Sequence, residues 1–457
     1  MKLNKTKRSG HRSGIALLPF LFFGSLLFAQ DKPDSSAAKK WTTHFQITVI
    51  SQIHSAFKSP YSGLNSLADS VEQVATSITS TLFLGRKLWK GAAFYFNPEI
   101  SGGRGLSYTK GVAGALNGET YRVGEAAPQP FIARAYFQQQ IALGKTSVIS
   151  VADDFNQVAG TVPESRITIS AGRFSISDFF DDNSFSKDPR IQFLNWSLWA
   201  NGAWDYPANT RGYTYGLVGE LIKPGWSVKA SSVAVPVVAN FHLMEYHFSG
   251  AHSETFEFDR SFSIWKRPGT ARVIFSETYS RAPSYAQGLQ ALATSDSFLL
   301  NVFAGNEKST RFGGKKFGLG LNLEQQLAAN LGFFCRLGWN DGKYASWAFT
   351  EIDRTAAAGL SLQGGTWNRP YDVVGVAGVV NGISSGHREF LERGGYGFII
   401  GDGRLNYGDE MIVESYYSAK LFPFLWASFD YQFVDHPGYN KDRGPVHVFG
   451  VRAHIEF

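Results

Sequence analysis

The sequence predicts an all-β protein, a transmembrane antiparallel β-barrel of the outer-membrane type, and three observations carry this prediction. Beyond residue 30 no run of about 18 apolar residues appears, which excludes membrane-spanning helices. Segments of about ten residues alternate apolar and polar side chains along most of the chain. Aromatic residues make up 15% of the chain and glycines number 48, yet the mean hydropathy is only −0.15, as is typical of strands that are apolar on one face.

The alternating segments assign one face of each strand to an apolar medium and the other to water. Residues 131–143 illustrate the pattern, with Phe131, Ala133, Ala135 and Phe137 on one face and Arg134, Tyr136, Gln138 and Gln140 on the other. It recurs at residues 317–327, 331–339 and 425–433. A soluble β-sandwich also alternates, but its strands average about five or six residues, whereas a tilted strand that crosses a bilayer needs about ten.

Aromatic residues mark the strand ends and the end of the chain. Interfacial girdles of aromatic residues flank the apolar band of a membrane barrel, and we assign to them Trp89, Trp226, Trp339, Tyr416 and Tyr417. The last alternating segment stops on Phe457, in phase with the apolar face. This ending resembles the signal by which bacterial outer-membrane proteins are recognised for assembly, so we expect the barrel assembly machinery and outer-membrane lipid as partners.

Residues 1–30 have the layout of a cleaved secretory signal peptide. Five basic residues precede the apolar residues 15–29, which are too few and too interrupted for a spanning helix. Those five residues account for most of the net charge of +6, so the remainder is close to neutral and nucleic-acid binding is not indicated. We therefore expect a signal peptide at residues 1–30 and one outer-membrane barrel domain at residues 31–457.

Motifs for catalysis or metal binding do not stand out in the sequence. The single cysteine, Cys335, excludes a disulfide framework and a cysteine-based zinc site. The acidic residues in 178–188 lack the spacing and the glycine of a calcium-binding EF-hand loop. No GxSxG nucleophile setting appears, and the glycine-rich pieces lack the lysine of a phosphate-binding loop. We predict no enzyme activity, no metal and no cofactor.

The stretch at residues 172–216 is the richest in chemistry. It combines Trp196, Trp199 and Trp204 with Asp205 and Arg211. A sugar ring offers C–H faces that stack on aromatic rings and hydroxyls that pair with polar groups, so this composition suits a sugar-handling surface. An ordered loop with buried aromatics explains the same composition. We expect the stretch to fold inward from between two strands and to narrow a channel.

Long blocks of the chain resemble the carbohydrate-selective porins of the OprB family. GRFSISDFFDDN, FLNW and GAWDYPANTRGYTYG, all within residues 172–216, are similar to the family's central region. RPYDVVGVAGVVNGIS at residues 369–384 and HPGYNKDRGPVHVFGVRAHIEF at residues 436–457 resemble its later strands. The resemblance covers nearly the whole chain after the signal peptide. It implies an outer-membrane barrel of about 16 strands that passes mono- or oligosaccharides by diffusion, without indicating which sugar.

Candidate solute-pathway residues come from the inward phase of the strands and from the central stretch: Arg134, Tyr136, Trp204, Asp205, Arg211, Glu220 and Glu414. A pore must bind its solute well enough for entry and weakly enough for release, and aromatic rings beside charges of both signs suit neutral sugars. A structural role fits each of these residues as well. Two alternatives stay open, a less selective diffusion porin for ions and small polar solutes and a soluble exported sugar-binding β-protein, and homo-oligomerisation is undecided.

Overall fold

The structure, a computed structural model, describes residues 39–120 and 127–457. The predicted signal peptide at residues 1–30 lies outside the described residues. Within the described part of the chain, sixteen strands close into one antiparallel barrel, which confirms the predicted fold class. Two further short strands pair with each other in a separate two-stranded sheet.

Consecutive barrel strands pair with each other, and the first and last strands close the ring from Gln46 opposite Glu456 to His54 opposite Val448. A closed ring leaves no strand edge unpaired, as a membrane requires. The strands are β1 Trp41–His54, β2 Ala75–Lys87, β3 Ala92–Gly103, β4 Gln129–Ala142, β5 Val148–Val151, β6 Gly160–Pro163, β7 Arg166–Phe174, β8 Thr214–Lys223, β9 Trp226–Val233, β10 His252–Ile264, β11 Arg267–Ser280, β12 Gly314–Ala328, β13 Leu331–Asn340, β14 Arg354–Gly364, β15 Arg369–Gly382, β16 Glu410–Phe422, β17 Leu425–Asp435 and β18 Val446–Glu456. The strands β5 and β6 form the separate sheet.

Alternation along the strands separates an apolar outside from a polar inside. On β18, Phe449 and Val451 are exposed on the outer face, whereas Arg452 and His454 are buried on the inner face. The strands β12, β13 and β17 alternate in the predicted phase. An exposed band of large apolar side chains around a polar interior suits surrounding lipid, and in water it would be an aggregation surface. The soluble alternative is therefore wrong.

One strand departs from the predicted alternation. The register between β3 and β4 shifts where Asn97 faces Arg134 but the next residue, Pro98, faces Ile132, so β4 contains a bulge. A bulge inserts one extra residue and reverses the face of every residue beyond it. Ile132 is accordingly exposed, while the ring of Phe131 lies 4.1 Å from the guanidinium of Arg211. The assignment of Phe131 to the apolar face was wrong for this reason.

The two ends of the barrel differ in their connections. At one end, the short-turn end, most strands are joined by a few residues, as between β10 and β11, where Trp265 and Lys266 both have positive φ, 52° and 61°. Positive φ at both positions is the geometry of a type I′ hairpin. At the other end, the long-loop end, the segments after β1, β3, β7, β9, β11, β13 and β15 are long.

Three of these long segments, those after β7, β11 and β15, carry short helices. The helices are α1 Trp196–Trp199, α2 Tyr285–Thr294, α3 Ser297–Phe303 and α4 Ser385–Glu392. Phe303 and Phe390 stack with ring centroids 4.5 Å apart, so α3 and α4 share one apolar cluster with Tyr285 of α2. None of the helices in the described part of the chain has the length and apolar character needed to span a membrane. The hydrophobic core thus includes a cluster formed by these segments.

Candidate solute pathway

A cavity of about 530 Å³ lies inside the barrel. The strands β1, β2, β3, β4 and β8 supply one side of it. Residues 175–213, which we call the central segment, supply the other side. Shorter contributions come from residues 118–120 at the long-loop end and from residues 155–156 on the connection between β4 and β7. The cavity therefore lies between the wall of the barrel and the central segment.

A buried guanidinium on the barrel wall holds the central segment. Arg336 on β13 donates to the carboxylate of Asp181 at 3.1 Å and to the main-chain carbonyls of Leu198 at 2.9 Å and Ser186 at 2.7 Å. Asp181 also accepts from the side-chain amide of Asn322 on β12 at 2.6 Å. A buried ion pair persists only when its donors and acceptors are satisfied in this way. These contacts confirm that the stretch folds into the lumen.

Two more barrel residues hold the middle of the central segment. The carboxylate of Glu414 on β16 accepts hydrogen bonds from the backbone N–H groups of Leu194 at 2.6 Å and Asn195 at 2.9 Å. Arg452 on β18 donates to two main-chain carbonyls of the segment, both at 2.7 Å. Hydrogen bonds from or to charged groups are about twice as strong as neutral ones, so these anchors satisfy a buried loop backbone that has no sheet to pair with.

A charged cluster borders the cavity around Arg190 of the central segment. Its guanidinium lies 3.2 Å from the carboxylate of Glu99 on β3 and 3.0 Å from that of Glu119. It also donates to the side chains of Gln46 on β1 at 2.9 Å and Thr81 on β2 at 3.2 Å. One cation between two carboxylates presents both donors and acceptors to the cavity.

A second ion pair lies farther along the same wall. Arg134 on β4 binds Asp178 of the central segment through two parallel hydrogen bonds of 2.7 and 2.6 Å. A bidentate pair of this kind fixes both side chains in one orientation. Together with the cluster around Arg190, it gives the cavity charges of mixed sign.

Aromatic rings line the cavity on the side of the central segment. The side chain of Asn195 accepts a hydrogen bond from the backbone N–H of Ser197 at 3.1 Å and so starts the short helix α1 at Trp196. The ring of Trp196 is nearly parallel to that of Phe349, with centroids 4.6 Å apart, and stacks on Tyr206 at 5.1 Å. This packing makes the aromatic side a rigid surface.

Trp199 adds a hydrogen-bond donor to the aromatic side. Its side chain borders the cavity, and its indole N–H finds no acceptor among the described residues although the ring is 93% buried, being 7% exposed. Gly118 lies so close that a Cβ there would come within 2.3 Å of Nε1. Buried donors are almost always paired in native proteins. Trp199 therefore places a buried, unpaired donor next to the cavity.

The charge of Glu119 is expected to vary with pH. Burial raises the pKa of this carboxyl above its usual 4.5, with the Arg190 charge opposing the shift and that of Glu99 adding to it. A raised carboxyl pKa means that Glu119 takes up its proton already above pH 4.5 as the pH falls. As the pH falls and Glu119 becomes neutral, the cavity loses a negative charge. We therefore expect the cation selectivity of the channel to decrease, measured as the reversal potential in a salt gradient. Glu119→Gln should abolish this part of the pH dependence.

An exposed acid provides the matched control for the pH experiment. Glu392 on α4 pairs with Arg388 at 2.7 Å and lies outside the cavity lining. Glu392→Gln should leave the pH profile of selectivity as it is in the parent protein. An unchanged profile in Glu119→Gln would contradict the assignment of the titration to Glu119.

Four of the seven residues predicted for the pathway line the cavity. They are Arg134, Tyr136, Arg211 and Glu220. The ring of Tyr136 packs against Tyr95 with centroids 5.1 Å apart, so its position is fixed by the wall of the barrel. Alternation placed three of the four on the inner face correctly, and the central stretch contributed the fourth.

The other three predicted residues lie away from the cavity lining. Trp204 packs against Phe180 with ring centroids 6.3 Å apart, within the apolar cluster of the central segment. Asp205 accepts hydrogen bonds from the backbone N–H groups of Trp347 at 2.6 Å and of the next two residues at 3.0 and 2.8 Å. Glu414 anchors the central segment. The contacts of all three hold loops in place.

The prediction missed the cluster that contributes most charge to the cavity. Arg190 and Trp199 belong to the central stretch, but neither was selected as a site residue. Glu99 lies on the inner face of β3, in phase with Tyr95 and Asn97. Its inward phase was therefore readable from the alternation of β3. Glu119 lies in a loop whose inward path no local pattern reveals.

A closed barrel with an apolar outer band, a polar interior and an in-folded segment that borders a lumenal cavity defines an outer-membrane porin. The chain belongs to the carbohydrate-selective porin family, OprB, whose family model matches residues 69–457. The protein is thus a channel of the outer membrane through which carbohydrates diffuse. The family and the fold indicate transport and give no indication of catalysis.

Solved structures with the same fold include OprB of Pseudomonas putida. Its high-pH structure is 16% identical, covers 92% of this chain and 94% of its own, and gives a TM-score of 0.66. The low-pH structure of the same protein is 13% identical with a TM-score of 0.48, covering 92% and 93% of the two chains. The channel DcaP of Acinetobacter baumannii is 9% identical with a TM-score of 0.49, covering 93% and 100%. No curated protein sequence matches the chain significantly.

Proposed function

We propose that carbohydrates cross this porin through the cavity between the barrel wall and the central segment. The observation that carries the proposal is the presence of two complementary surfaces in one cavity. Trp196, Trp199 and Phe349 form an aromatic part of its lining, and Arg190 with its two carboxylates forms a charged part. A sugar presents C–H faces to the first and hydroxyls to the second.

Weak binding on both surfaces would speed passage without trapping the sugar. The guanidinium of Arg190 already has four partners, so a hydroxyl shares its donors and gains no more than about 1.5–3 kcal/mol, the contribution of one hydrogen bond to a charged group. The rings are locked by mutual stacking and lose little entropy when a sugar arrives. Favourable entry with easy release is the condition for selective diffusion. Among the predicted pathway residues, we keep Arg134, Tyr136, Arg211 and Glu220 in this role.

Trp199→Phe tests the donor on the aromatic side. Phenylalanine keeps a flat ring but removes the N–H, and one neutral hydrogen bond contributes about 0.5–1.5 kcal/mol. We expect the sugar concentration that half-blocks the ion current in a planar bilayer to rise about 2–10-fold. Conductance in salt alone should change little. A series of mono- and oligosaccharides in the same assay would identify the preferred solute.

Trp265→Phe is the matched control, because Trp265 is 80% exposed in the turn between β10 and β11 and does not line the cavity. Sugars should block the ion current through this variant at the same concentrations as in the parent. Equal half-blocking concentrations for Trp199→Phe and the parent would contradict a role of the indole N–H in sugar binding. If no sugar blocks the parent current while salts conduct, the channel acts as a general diffusion porin.

We further propose that residues 1–30 direct export and are cleaved, leaving a barrel domain within residues 31–457. The barrel assembly machinery is the proposed partner for insertion, because strands whose apolar band appears only after folding cannot insert singly as helices do. Membrane association is supported by the exposed apolar residues of the barrel, such as Phe449 and Val451 on β18. Detection of the mature N-terminus by mass spectrometry would test the cleavage.

A further inference from the structure

The connection between β4 and β7, residues 143–165, is unusually long for the short-turn end of the barrel. It forms a hairpin in which Val148 of β5 faces Pro163 of β6. At its tip, the backbone N–H and carbonyl groups of Asp154 and Gln157 bond reciprocally at 3.0 Å. This β5–β6 hairpin thus has its own backbone pairing.

The tip of the hairpin packs against the inner faces of β1 and β2. The ring of Phe155 lies 4.6 Å from that of Phe83 on β2 and 5.2 Å from that of His44 on β1, measured between centroids. Phe83 is buried, and both strands supply inward residues to the cavity. Because the hairpin starts from β4 and β7 and ends against β1 and β2, it crosses part of the barrel mouth.

Polar contacts on both sides of the tip hold the hairpin in this position. The ammonium of Lys87 on β2 donates to the main-chain carbonyl of Ala159 at 2.6 Å. Lys39 forms an ion pair with Asp153 at 2.8 Å. Ala159 and the preceding Val158 are buried, and Val158 belongs to the same apolar cluster as Tyr95 of β3. The hairpin is consequently tied to β2, to the residue Lys39 just before β1 and to the apolar cluster of β3, all on the stretch of wall next to β4.

Phe155 and Asn156 at the tip line the same cavity as Arg190 and Trp199. Short turns of outer-membrane barrels face the periplasm. We propose that the β5–β6 hairpin forms the periplasmic rim of the carbohydrate pathway and that Phe155 is a specificity-determining residue, whose ring limits the size of the saccharide that leaves the cavity. The proposal rests on the proposed function of this cavity.

The chemistry of the tip suits this role. The ring of Phe155 is held edge-on by His44 and tilted by Phe83, so it cannot swing aside without losing both aromatic contacts. The side chain of Asn156 supplies a neutral donor and acceptor for hydroxyls beside that ring. The rim therefore joins a steric limit to a polar contact, which is a combination that discriminates saccharides by length.

Phe155→Ala in the full-length porin tests the proposal. Removing the ring should raise single-channel conductance and should admit longer oligosaccharides in liposome-swelling assays than the parent admits. Val148→Ala is the matched control, because Val148 lies on the same hairpin, is 64% exposed and does not border the cavity. The control should keep the size limit of the parent.

A second variant covers the case in which Phe155→Ala disturbs folding. Asn156→Cys in a Cys335→Ser background allows labelling by a membrane-impermeant thiol reagent added to the periplasmic side. Labelling should lower conductance, and a permeating sugar should slow the labelling. An unchanged size limit in Phe155→Ala, together with labelling that leaves conductance unaltered, would overturn the proposal.

The experiments distinguish failure of the proposed rim from failure of the proposed pathway. If the cavity conducts sugars but the hairpin is not its rim, Trp199→Phe weakens sugar block while Phe155→Ala keeps the size limit. If the cavity is not the pathway, Trp199→Phe leaves the block unchanged as well.

Discussion

Arg190→Met is expected to weaken the block of ion current by sugars about tenfold or more and to make the channel more cation-selective. The guanidinium is the cation between Glu99 and Glu119, and its side chain is only 12% exposed. Hydrogen bonds involving charged groups contribute about 1.5–3 kcal/mol, which corresponds to roughly one or two orders of magnitude in affinity. Methionine keeps much of the side-chain volume while removing every donor.

The gain in cation selectivity has a separate cause. Once Arg190 is gone, two carboxylates border the cavity with one positive charge fewer to balance them. A low-dielectric constriction magnifies such a change, because its walls focus the field of the remaining charges. The measurement is the reversal potential in a potassium chloride gradient, recorded beside the sugar-block titration.

An exposed arginine is the control for this experiment. Arg388 on α4 contacts Glu392 at 2.7 Å, is half exposed and does not line the cavity. Arg388→Met should match the parent in both assays. If Arg190→Met also matched the parent in sugar block and in reversal potential, the charged cluster would have no part in the pathway.

Asp181→Ala should cause the largest loss of stability, about 3–5 kcal/mol. It leaves the guanidinium of Arg336 buried without its carboxylate, and an uncompensated buried charge carries a cost of that order. The central segment would also lose the hydrogen bond that the Asp181 carboxylate accepts from Asn322 on β12. The measurement is urea unfolding in detergent, followed by the shift of the heat-modifiable band on a gel.

The double variant Asp181→Ala with Arg336→Met separates the buried charge from the lost hydrogen bonds. Removing both charges should recover part of the stability, since apolar replacements of a buried ion pair are often nearly neutral. Asp409→Ala is the control, because the pair of Asp409 with Arg354 at 3.0 Å is exposed on both sides and such pairs contribute about 0–1 kcal/mol. Equal losses for Asp181→Ala and Asp409→Ala would contradict the anchoring role of Asp181.

Both predictions concern residues of the central segment. The two residues differ in how deeply their partners on the barrel wall are buried. Asp181 meets a fully buried arginine and serves the fold, whereas Arg190 meets partly accessible carboxylates and borders the cavity. Composition alone did not separate these roles. Burial did, because a charge withdrawn from solvent cannot also contact a passing solute.

The sequence by itself determined the barrel and the faces of most of its strands. Alternation is a local property with a period of two residues, and each strand responds independently to lipid on one side and water on the other. Arg134, Tyr136 and Glu220 were placed on the inner face in this way. Alternation gave the wrong face for Phe131, because one bulge in β4 reverses the phase and no pattern in the neighbouring residues indicates the bulge.

Only the tertiary structure decided which residues of the central stretch border the cavity. The path of that stretch depends on contacts between residues far apart in the chain, such as Asp181 with Arg336 and Leu194 with Glu414. Such pairings satisfy the hydrogen bonds of buried backbone and side-chain groups, and they produce no periodic pattern in the sequence. For that reason Trp204, Asp205 and Glu414 could not be distinguished by sequence from Arg190 and Trp199, although the barrel around them was predictable.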